Sequence, residues 1–152
     1  MGHSTVKEQA LGAELAAVVA RLRRVLRRAV RRHAVDPLPP AASDVLVAVA
    51  NRPGVGVNEV ADELRLAPNT VSTLVRQLVD RDLLVRSTDP ADRRAARLDI
   101  TPAAEARIAA HRAVRAETME RALADFAPDE REILARAVPL LHRLTDALEE
   151  NE

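Results

Sequence analysis

The chain has 152 residues, of which 47% are apolar and 30% charged, and its formal net charge is zero. This length and apolar fraction suffice for a compact core and exclude a disordered tail. Phe126 is the single aromatic residue, so the chain lacks the stacking platforms typical of proteins that bind single-stranded nucleic acid. It has no cysteine, which excludes disulfides, cysteine-ligated zinc and thiol redox chemistry.

The distribution of charge is more informative than the zero total, because binding depends on the local field. Residues 21–32 contain seven arginines and no acid, whereas residues 117–152 contain ten acids and four arginines. The arginine run indicates a solvated helix face, or else a surface for phosphates, for an acidic partner or for the acidic carboxyl-terminal third within a dimer. No apolar run approaches the ~20 residues of a membrane span, and no signal peptide is recognisable. A soluble, cytoplasmic protein without membrane contact is therefore expected.

The first predicted element is a long helix over residues 6–34, which Asp36-Pro-Leu-Pro-Pro ends. Its apolar residues recur at spacings of three and four, as in the seam along which one helix packs on another. They are Leu11, Leu15, Val18, Leu22, Val25 and Ala29. A second, nearly apolar helix over 41–51 is expected to be buried, and a loop to Gly56 follows it.

Two short helices separated by a tight turn come next. The first is predicted over 57–64 and the turn is Arg65-Leu-Ala. Pro68 then begins the second helix, where its missing N–H costs nothing. One inward apolar stripe is expected on this helix, formed by Val71, Leu74, Val75 and Leu78.

A β-hairpin with a charged tip follows, with predicted strands over 83–87 and 95–100 and the tip at 88–94. Thr101-Pro102 has the pattern of a capped helix start, and this fifth helix extends to about residue 125. A sixth helix is predicted from Pro128 to about residue 149, with a kink at Pro139. The predicted fold is mainly α, with six helices and a small β-hairpin wing, which is a winged helix-turn-helix.

The fourth helix carries the side chains that could contact base edges, because the DNA major groove admits one α-helix. The residues opposite or beside its apolar stripe are all of types that can form hydrogen bonds, and none is acidic. They are Asn69, Thr70, Ser72, Thr73, Arg76 and Gln77. Carboxylates in these positions would meet phosphates, so the composition suits a groove-facing surface. Taken alone, the same pattern also describes a solvated polar helix face.

The hairpin favours the first interpretation. The stretch Leu83-Leu-Val-Arg-Ser-Thr-Asp-Pro-Ala-Asp-Arg-Arg-Ala resembles the wing signature of the MarR family of bacterial transcriptional regulators. Residues 59–75 are similar to that family's helix-turn-helix, and Ile100-Thr-Pro is similar to the Leu-Thr-Pro that follows its wing.

The resemblance implies roles for three residues at the wing tip. Arg94 would enter the minor groove and Asp92 would orient it, with Arg93 as a second candidate for the groove. An arginine suits a narrow minor groove because the potential there is strongly negative. The alternative is that Asp92 and Arg93 merely pair on a solvated turn.

Several positions depart from the family's pattern. Three of them replace an expected glycine, namely Arg65, Asp82 and Ala104. Val57 and Ala67 stand where polar helix caps are usual, each worth ~1 kcal/mol. Thr73 stands where an arginine is common. These departures predict weaker or unusual DNA contacts.

Apolar surface beyond the needs of one small core predicts a homodimer. It lies on the seam of the first helix and on a stripe of the sixth, formed by Ile133, Leu134, Leu141, Leu144 and Leu148. The family dimerises through its terminal helices, which implies dimerisation regions at 1–35 and 102–152 around a DNA-binding lobe at 41–101, together one compact domain. A twofold dimer would place two recognition helices ~34 Å apart on a near-palindromic site.

The sequence thus predicts a regulator that binds double-stranded DNA, acting as a ligand-responsive repressor. The resemblance implies a pocket for a small-molecule effector near the first, second and fifth helices, where Arg24, His33 or His111 could supply polar groups, although no effector contact is assigned. The alternative is a winged-helix protein-interaction module without DNA binding, which the neutral charge and missing caps would suit.

An enzymatic function finds little support in the sequence. It has no glycine-rich phosphate loop and no activated-nucleophile signature. The histidines His33, His111 and His142 lack metal-ligand spacing on one helix. No catalytic residue, metal or cofactor is predicted.

Overall fold

The computed structural model describes residues 2–33, 36–88 and 96–150, the first five of them as backbone only. They form, in chain order, α1 (Gly2–His33), α2 (Pro40–Asn51), β1 (Val55–Gly56), α3 (Val57–Leu64), α4 (Pro68–Val79), β2 (Leu84–Thr88), β3 (Ala96–Ile100), α5 (Pro102–Ala124) and α6 (Pro128–Glu149). The six predicted helices and the wing strands are confirmed. The chain divides into two compact units, Met1–Val114 and Arg115–Glu152.

The core of the first unit is aliphatic and lies among α2, α3, α4 and the strands. The predicted burial of α2 is confirmed for five residues, namely Ala42, Val45, Leu46, Ala48 and Val49. Val47 is the exception, since 44% of its surface is exposed. Each fully buried leucine or valine stabilises the fold by about 1.5–3 kcal/mol, so this cluster holds the helices without any aromatic residue.

The strands form one antiparallel sheet in the order β1-β3-β2. Val55 pairs with Leu98 on one side of β3, and Arg86 pairs with Leu98 on the other. The prediction of a loop up to Gly56 was wrong at β1, because a strand of two residues has no periodicity that a sequence pattern could reveal. The N–H of Gly54 leads into β1 and donates to the Leu98 carbonyl and to Asp99 Oδ1, both at 2.9 Å.

Two of the positions without the expected glycine do adopt the left-handed conformation, with φ of 52° at Arg65 and 55° at Asp82. Each follows a helix. After α3, the N–H of Leu66 donates to the Ala61 carbonyl at 2.9 Å, and after α4 the N–H of Leu83 donates to the Leu78 carbonyl at the same distance. This hydrogen bond closes a helix end around a left-handed residue. A residue other than glycine pays roughly 1–2 kcal/mol for that conformation.

The two terminal helices differ from this core in their burial. α1 begins at Gly2, four residues before the predicted boundary, and among its side chains that the structure describes it buries Val30. α6 is described along its whole length and buries no residue. It continues through Pro139, and the kink predicted there stays a prediction. No helix in the described part of the chain has an apolar stretch that would cross a bilayer.

Candidate nucleic-acid interface

The orientation of α4 is set by its apolar stripe. Val71 and Leu78 are completely buried and Val75 is 2% exposed, so this side of the helix packs into the core. The side chains on the other side are all exposed: Asn69, Thr70, Ser72, Thr73 and Arg76. We call these five residues the α4 polar face. α4 contains no carboxylate, and the structure therefore presents an exposed, acid-free helix surface on a rigid support.

Hydrogen bonds within α4 fix which groups of the polar face point outward. Asn69 Oδ1 accepts from the N–H of Thr70 at 2.8 Å, which leaves the two side-chain N–H donors of Asn69 for a partner. Thr73 Oγ1 donates to the Asn69 carbonyl at 3.0 Å. Its hydroxyl can therefore only accept from a base, and its methyl group can contact a thymine methyl.

The amino ends of α3 and α4 lack side-chain caps, as the sequence predicted for both helices. Ala67 precedes α4 and makes no side-chain hydrogen bond. At α3 the predicted position of the cap is off by one residue, because the cap position is Gly56 and Val57 is already helical. Glu59 compensates there, since its Oε2 accepts from the N–H of Gly56 at 2.9 Å, as in a capping box. The Glu three positions into the helix was the signal that could have revealed this contact.

The wing is firmly attached at its base. Thr101 is 5% exposed, and its Oγ1 donates to the Asp82 carbonyl at 2.7 Å while accepting from the N–H of Ala104 at 3.1 Å. The predicted cap of the fifth helix is thus confirmed, and it also holds the turn that leads into β2. The strands pair up to Thr88 and Ala96. The predicted tip residues Asp92, Arg93 and Arg94 fall between these ends and lie outside the described residues.

Several arginines of this lobe and of α5 make contacts within the chain. Arg52 Nη2 lies 2.8 Å from Glu59 Oε1, and Arg81 Nη1 lies 3.6 Å from Asp36 Oδ2. Arg107 donates to the Asp36 carbonyl, while its Nε is buried without a hydrogen-bond partner. The sequence did not predict the contact between Arg107 and Asp36, because the two residues are 71 positions apart and no local pattern joins them.

Most side chains of the arginine run in α1 are exposed to solvent. Arg21, Arg24, Arg28, Arg31 and Arg32 are exposed. Arg23 approaches Asp44 of α2 at 4.0 Å, which is a weak, exposed ion pair. His33 Nδ1 lies 2.8 Å from the Ala29 carbonyl, so one ring nitrogen is used within the helix. Within the described ranges, no three metal-ligating side chains come together.

A shallow cleft of about 300 Å³ lies beside β1. It is lined by Arg52, Pro53, Gly54, Val55, Gly56, Glu59, Ala96 and Arg97. This cleft is at the sheet, whereas the effector pocket implied by the resemblance would lie near α1, α2 and α5. The location of an effector pocket stays a prediction.

Comparison with known proteins supports the class that this geometry suggests. A family model described as MarR family matches residues 36–95. A Pseudomonas aeruginosa protein described as a candidate transcriptional regulator is 31% identical, with a TM-score of 0.80 over 91% of this chain and 96% of its own. The transcriptional regulator Tm0710 of Thermotoga maritima is 26% identical, with a TM-score of 0.73 over 94% and 96% of the two chains. A search of curated proteins gave no match.

A third structure bears on the fold. Streptococcus pneumoniae FabT, solved in complex with DNA, is 16% identical, with a TM-score of 0.67 over 93% of this chain and 99% of its own. The helices, the wing and these likenesses define a winged-helix transcription regulator, a class that acts by binding DNA and not as an enzyme. The chain belongs to the MarR family.

Proposed function

We propose that this chain binds double-stranded DNA as a homodimer and represses transcription from a near-palindromic operator. The α4 polar face carries the proposal, since it is exposed, free of carboxylates and mounted on a buried stripe that fixes its direction. In this proposal Asn69, Thr70, Ser72, Thr73 and Arg76 lie in the major groove. FabT, which has the same fold, was solved with DNA, and this supports the assignment.

The wing supplies a second contact in this proposal. Arg94 inserts into the minor groove, Asp92 orients it, and Arg93 is the second candidate for the same place. The support is the match of the Asp-Pro-Ala-Asp-Arg-Arg stretch to the family's wing and the rigid base of the hairpin, where the Thr101 hydroxyl lies 2.7 Å from the Asp82 carbonyl.

Dimerisation is proposed through regions 1–35 and 102–152, which leaves 41–101 as the DNA-binding lobe. The support is exposed apolar surface. On α6 the stripe of Ile133, Leu134, Leu141, Leu144 and Leu148 is between 42% and 60% exposed. On α1, Leu11, Val18, Leu22 and Val25 are between 39% and 57% exposed. Exposed apolar residues that line one face of a helix are typical of protein interfaces.

A response to a small-molecule effector completes the proposal. The effector would shift the dimer towards a spacing of the two α4 helices that does not fit DNA, which requires that it bind this state more tightly. Its pocket is proposed near α1, α2 and α5, in the first unit. Polar groups at hand include the His33 ring, whose Nδ1 lies 2.8 Å from the Ala29 carbonyl oxygen.

A salt titration tests DNA binding directly. Binding of the purified chain to short duplexes that tile the DNA upstream of its own coding sequence would be followed by fluorescence anisotropy. A dimer that neutralises several phosphates should lose affinity steeply, by roughly 10³–10⁵ between about 50 and 200 mM salt for 6–10 contacts. If no duplex binds above background at low salt, the proposal fails.

One observation favours a second candidate, a winged-helix module that binds protein and not DNA. The surface of α3 carries three acids and no base, namely Glu59, Asp62 and Glu63. An acidic helix beside α4 would weaken attraction to phosphates. The same titration separates the two candidates, because only the DNA-binding chain shows duplex affinity that falls with salt.

A further inference from the structure

Two side chains of the α4 polar face are held by hydrogen bonds inside the helix, and these bonds decide which group each side chain presents outward. The backbone N–H of Thr70 can only donate, so the Asn69 atom that lies 2.8 Å from it is the oxygen Oδ1. The Asn69 carbonyl can only accept, so the Thr73 hydroxyl, 3.0 Å away, donates its one proton there. The backbone partner therefore fixes the direction of both hydrogen bonds.

The positions of Asn69 and Thr73 on α4 direct both side chains away from the core. They are four residues apart, which places them on the same face of the helix, and both are exposed. Val71 and Val75 each follow two residues later and are 0% and 2% exposed. Two residues correspond to about 200° of rotation around a helix, so Asn69 and Thr73 lie opposite the buried stripe. In the proposed complex this face meets the base edges of the major groove.

Asn69 presents two N–H donors, and guanine is the base that suits them. Guanine has two acceptors in the major groove, O6 and N7, whereas adenine has one acceptor beside an amino donor. The common pairing of asparagine with adenine requires the amide oxygen to accept from that amino group. In this chain the same oxygen already accepts from the Thr70 N–H. The internal bond therefore favours guanine over adenine as the partner of Asn69.

Thr73 presents a methyl group and a hydroxyl that can only accept. A T·A pair offers a partner for each, because thymine carries a C5 methyl group and adenine an amino donor in the major groove. A C·G pair offers the amino donor without the methyl group. Side chains four residues apart on a helix have Cβ atoms ~5–6 Å apart, and base pairs stack every ~3.4 Å. The bases of Asn69 and Thr73 would thus lie within about two base pairs of each other.

We infer that Asn69 and Thr73 determine the base preference of this chain. Asn69 selects guanine, and Thr73 selects a T·A pair within about two base pairs of it, once in each half-site. This inference rests on the proposed DNA-binding function and names bases that the operator would contain. Because both side chains are already bonded in the free chain, they lose little rotamer freedom on meeting DNA.

The first test selects binding sites from a pool of random duplexes at low salt. The unmodified chain should select half-sites that contain the guanine and the T·A pair. Asn69→Ala should lose roughly 5- to 150-fold of the preference for guanine, the range for one well-paired base contact, and should keep the preference for T·A. Arg136→Gln changes an exposed residue of α6 and is the control, which should select the same site as the unmodified chain.

Base analogues then test the individual groups by fluorescence anisotropy on one selected duplex. Replacing the guanine by 7-deazaguanine removes the N7 acceptor, which should weaken binding of the unmodified chain but not of Asn69→Ala. Replacing the thymine by uracil removes the methyl group. This change should weaken binding of the unmodified chain and of Thr73→Val, which keeps a methyl group there, but not of Thr73→Ser, which lacks one. Both positions are exposed, so these variants should fold.

The outcomes separate the inference from the proposed function. If the unmodified chain selects adenine where Asn69→Ala loses its preference, Oδ1 leaves the Thr70 N–H on binding and the inference is wrong. It is also wrong if uracil leaves binding of the unmodified chain unchanged, or if that chain binds every duplex alike with an affinity that falls with salt. DNA binding itself stands in each of these cases. Failure of the unmodified chain to bind any duplex of the pool would instead remove the proposed function.

Discussion

The winged-helix region from α2 to β3 and the terminal helix α6 use the same kinds of residue with opposite results. In the former, leucine and valine at regular spacings are buried, and Leu78, Leu84 and Leu98 are at most 1% exposed. In α6 an equally regular stripe is open, and Leu148 is 60% exposed. A regular apolar stripe therefore predicts that one face of a helix or strand becomes buried. It does not indicate whether the same chain or another chain buries it. Open stripes of this kind are the basis of the proposed dimer.

The largest expected effect comes from a charge placed in the open stripe of α6. Leu141→Glu should weaken dimerisation by about 3–5 kcal/mol, because a carboxylate buried in an apolar interface has no compensating partner. Within one chain Leu141 is 47% exposed, so the helix itself should persist. Sedimentation velocity over a range of protein concentrations would measure the change. Ala135→Glu, on another side of α6, is the matched control and should stay dimeric. A dimer of Leu141→Glu as tight as that of the unmodified chain would show that this stripe is not the interface.

A cavity in the closed core should cost nearly as much. Leu98 is completely buried in the central strand, so Leu98→Ala should lower the free energy of unfolding by about 2–5 kcal/mol. Urea unfolding at one fixed protein concentration would measure it, since the proposed dimerisation would make stability concentration-dependent. Val85→Ala, on the neighbouring strand and 48% exposed, should change stability by less than ~0.5 kcal/mol. Equal losses for the two variants would contradict the burial described here.

At the wing tip, the expected loss is in DNA binding and not in folding. Arg94→Ala should weaken duplex binding by about 1–3 kcal/mol while the dimer stays intact. Anisotropy on a bound duplex and sedimentation of the free protein would give the two values. A larger loss for Arg93→Ala would transfer the minor-groove role to Arg93. Unchanged binding in both variants would remove the wing from the DNA contacts.

The smallest expected effect is at the base of the wing. Thr101→Ala removes the cap of α5 and the partner of the Asp82 carbonyl, and it should cost about 0.5–2 kcal/mol. Thr101→Ser keeps the hydroxyl and should restore most of that stability in thermal unfolding. If the serine variant is as unstable as the alanine variant, packing of the threonine methyl group, and not its hydrogen bonds, stabilises this corner.

Much of the fold follows from local patterns. The spacing of Val71, Leu74, Val75 and Leu78 predicted α4 and its buried side, and Thr101-Pro102 predicted the start of α5. The glycines missing at Arg65 and Asp82 marked two positions that turned out to be left-handed. What local patterns did not predict depends on distant partners. β1 forms because Val55 pairs with Leu98 of β3. Likewise, Asp36 comes within reach of Arg81 and Arg107 only in the folded chain.

The candidate site was predictable to the extent that it lies on one helix. The α4 polar face follows from the helical period alone, whereas the internal bonds of Asn69 and Thr73, which decide what each side chain can offer, depend on rotamers. Arg65 was noted as a departure at the turn, but its φ became visible only with the backbone. The wing residues Asp92 and Arg94 still rest on the resemblance to the family's motif.

The central place of β3 also determines how the wing can open. β3 is hydrogen-bonded on both sides, whereas β2 and β1 each have a free edge within this sheet. Detaching β2 would expose one edge of β3 and leave its pairing with β1 intact, through Val55 and Gly56. Local unfolding can therefore begin at either outer strand, and in both cases β3 keeps its hydrogen bonds to the remaining neighbour. The wing can fray from its outer strand while the strand that enters α5 keeps its place.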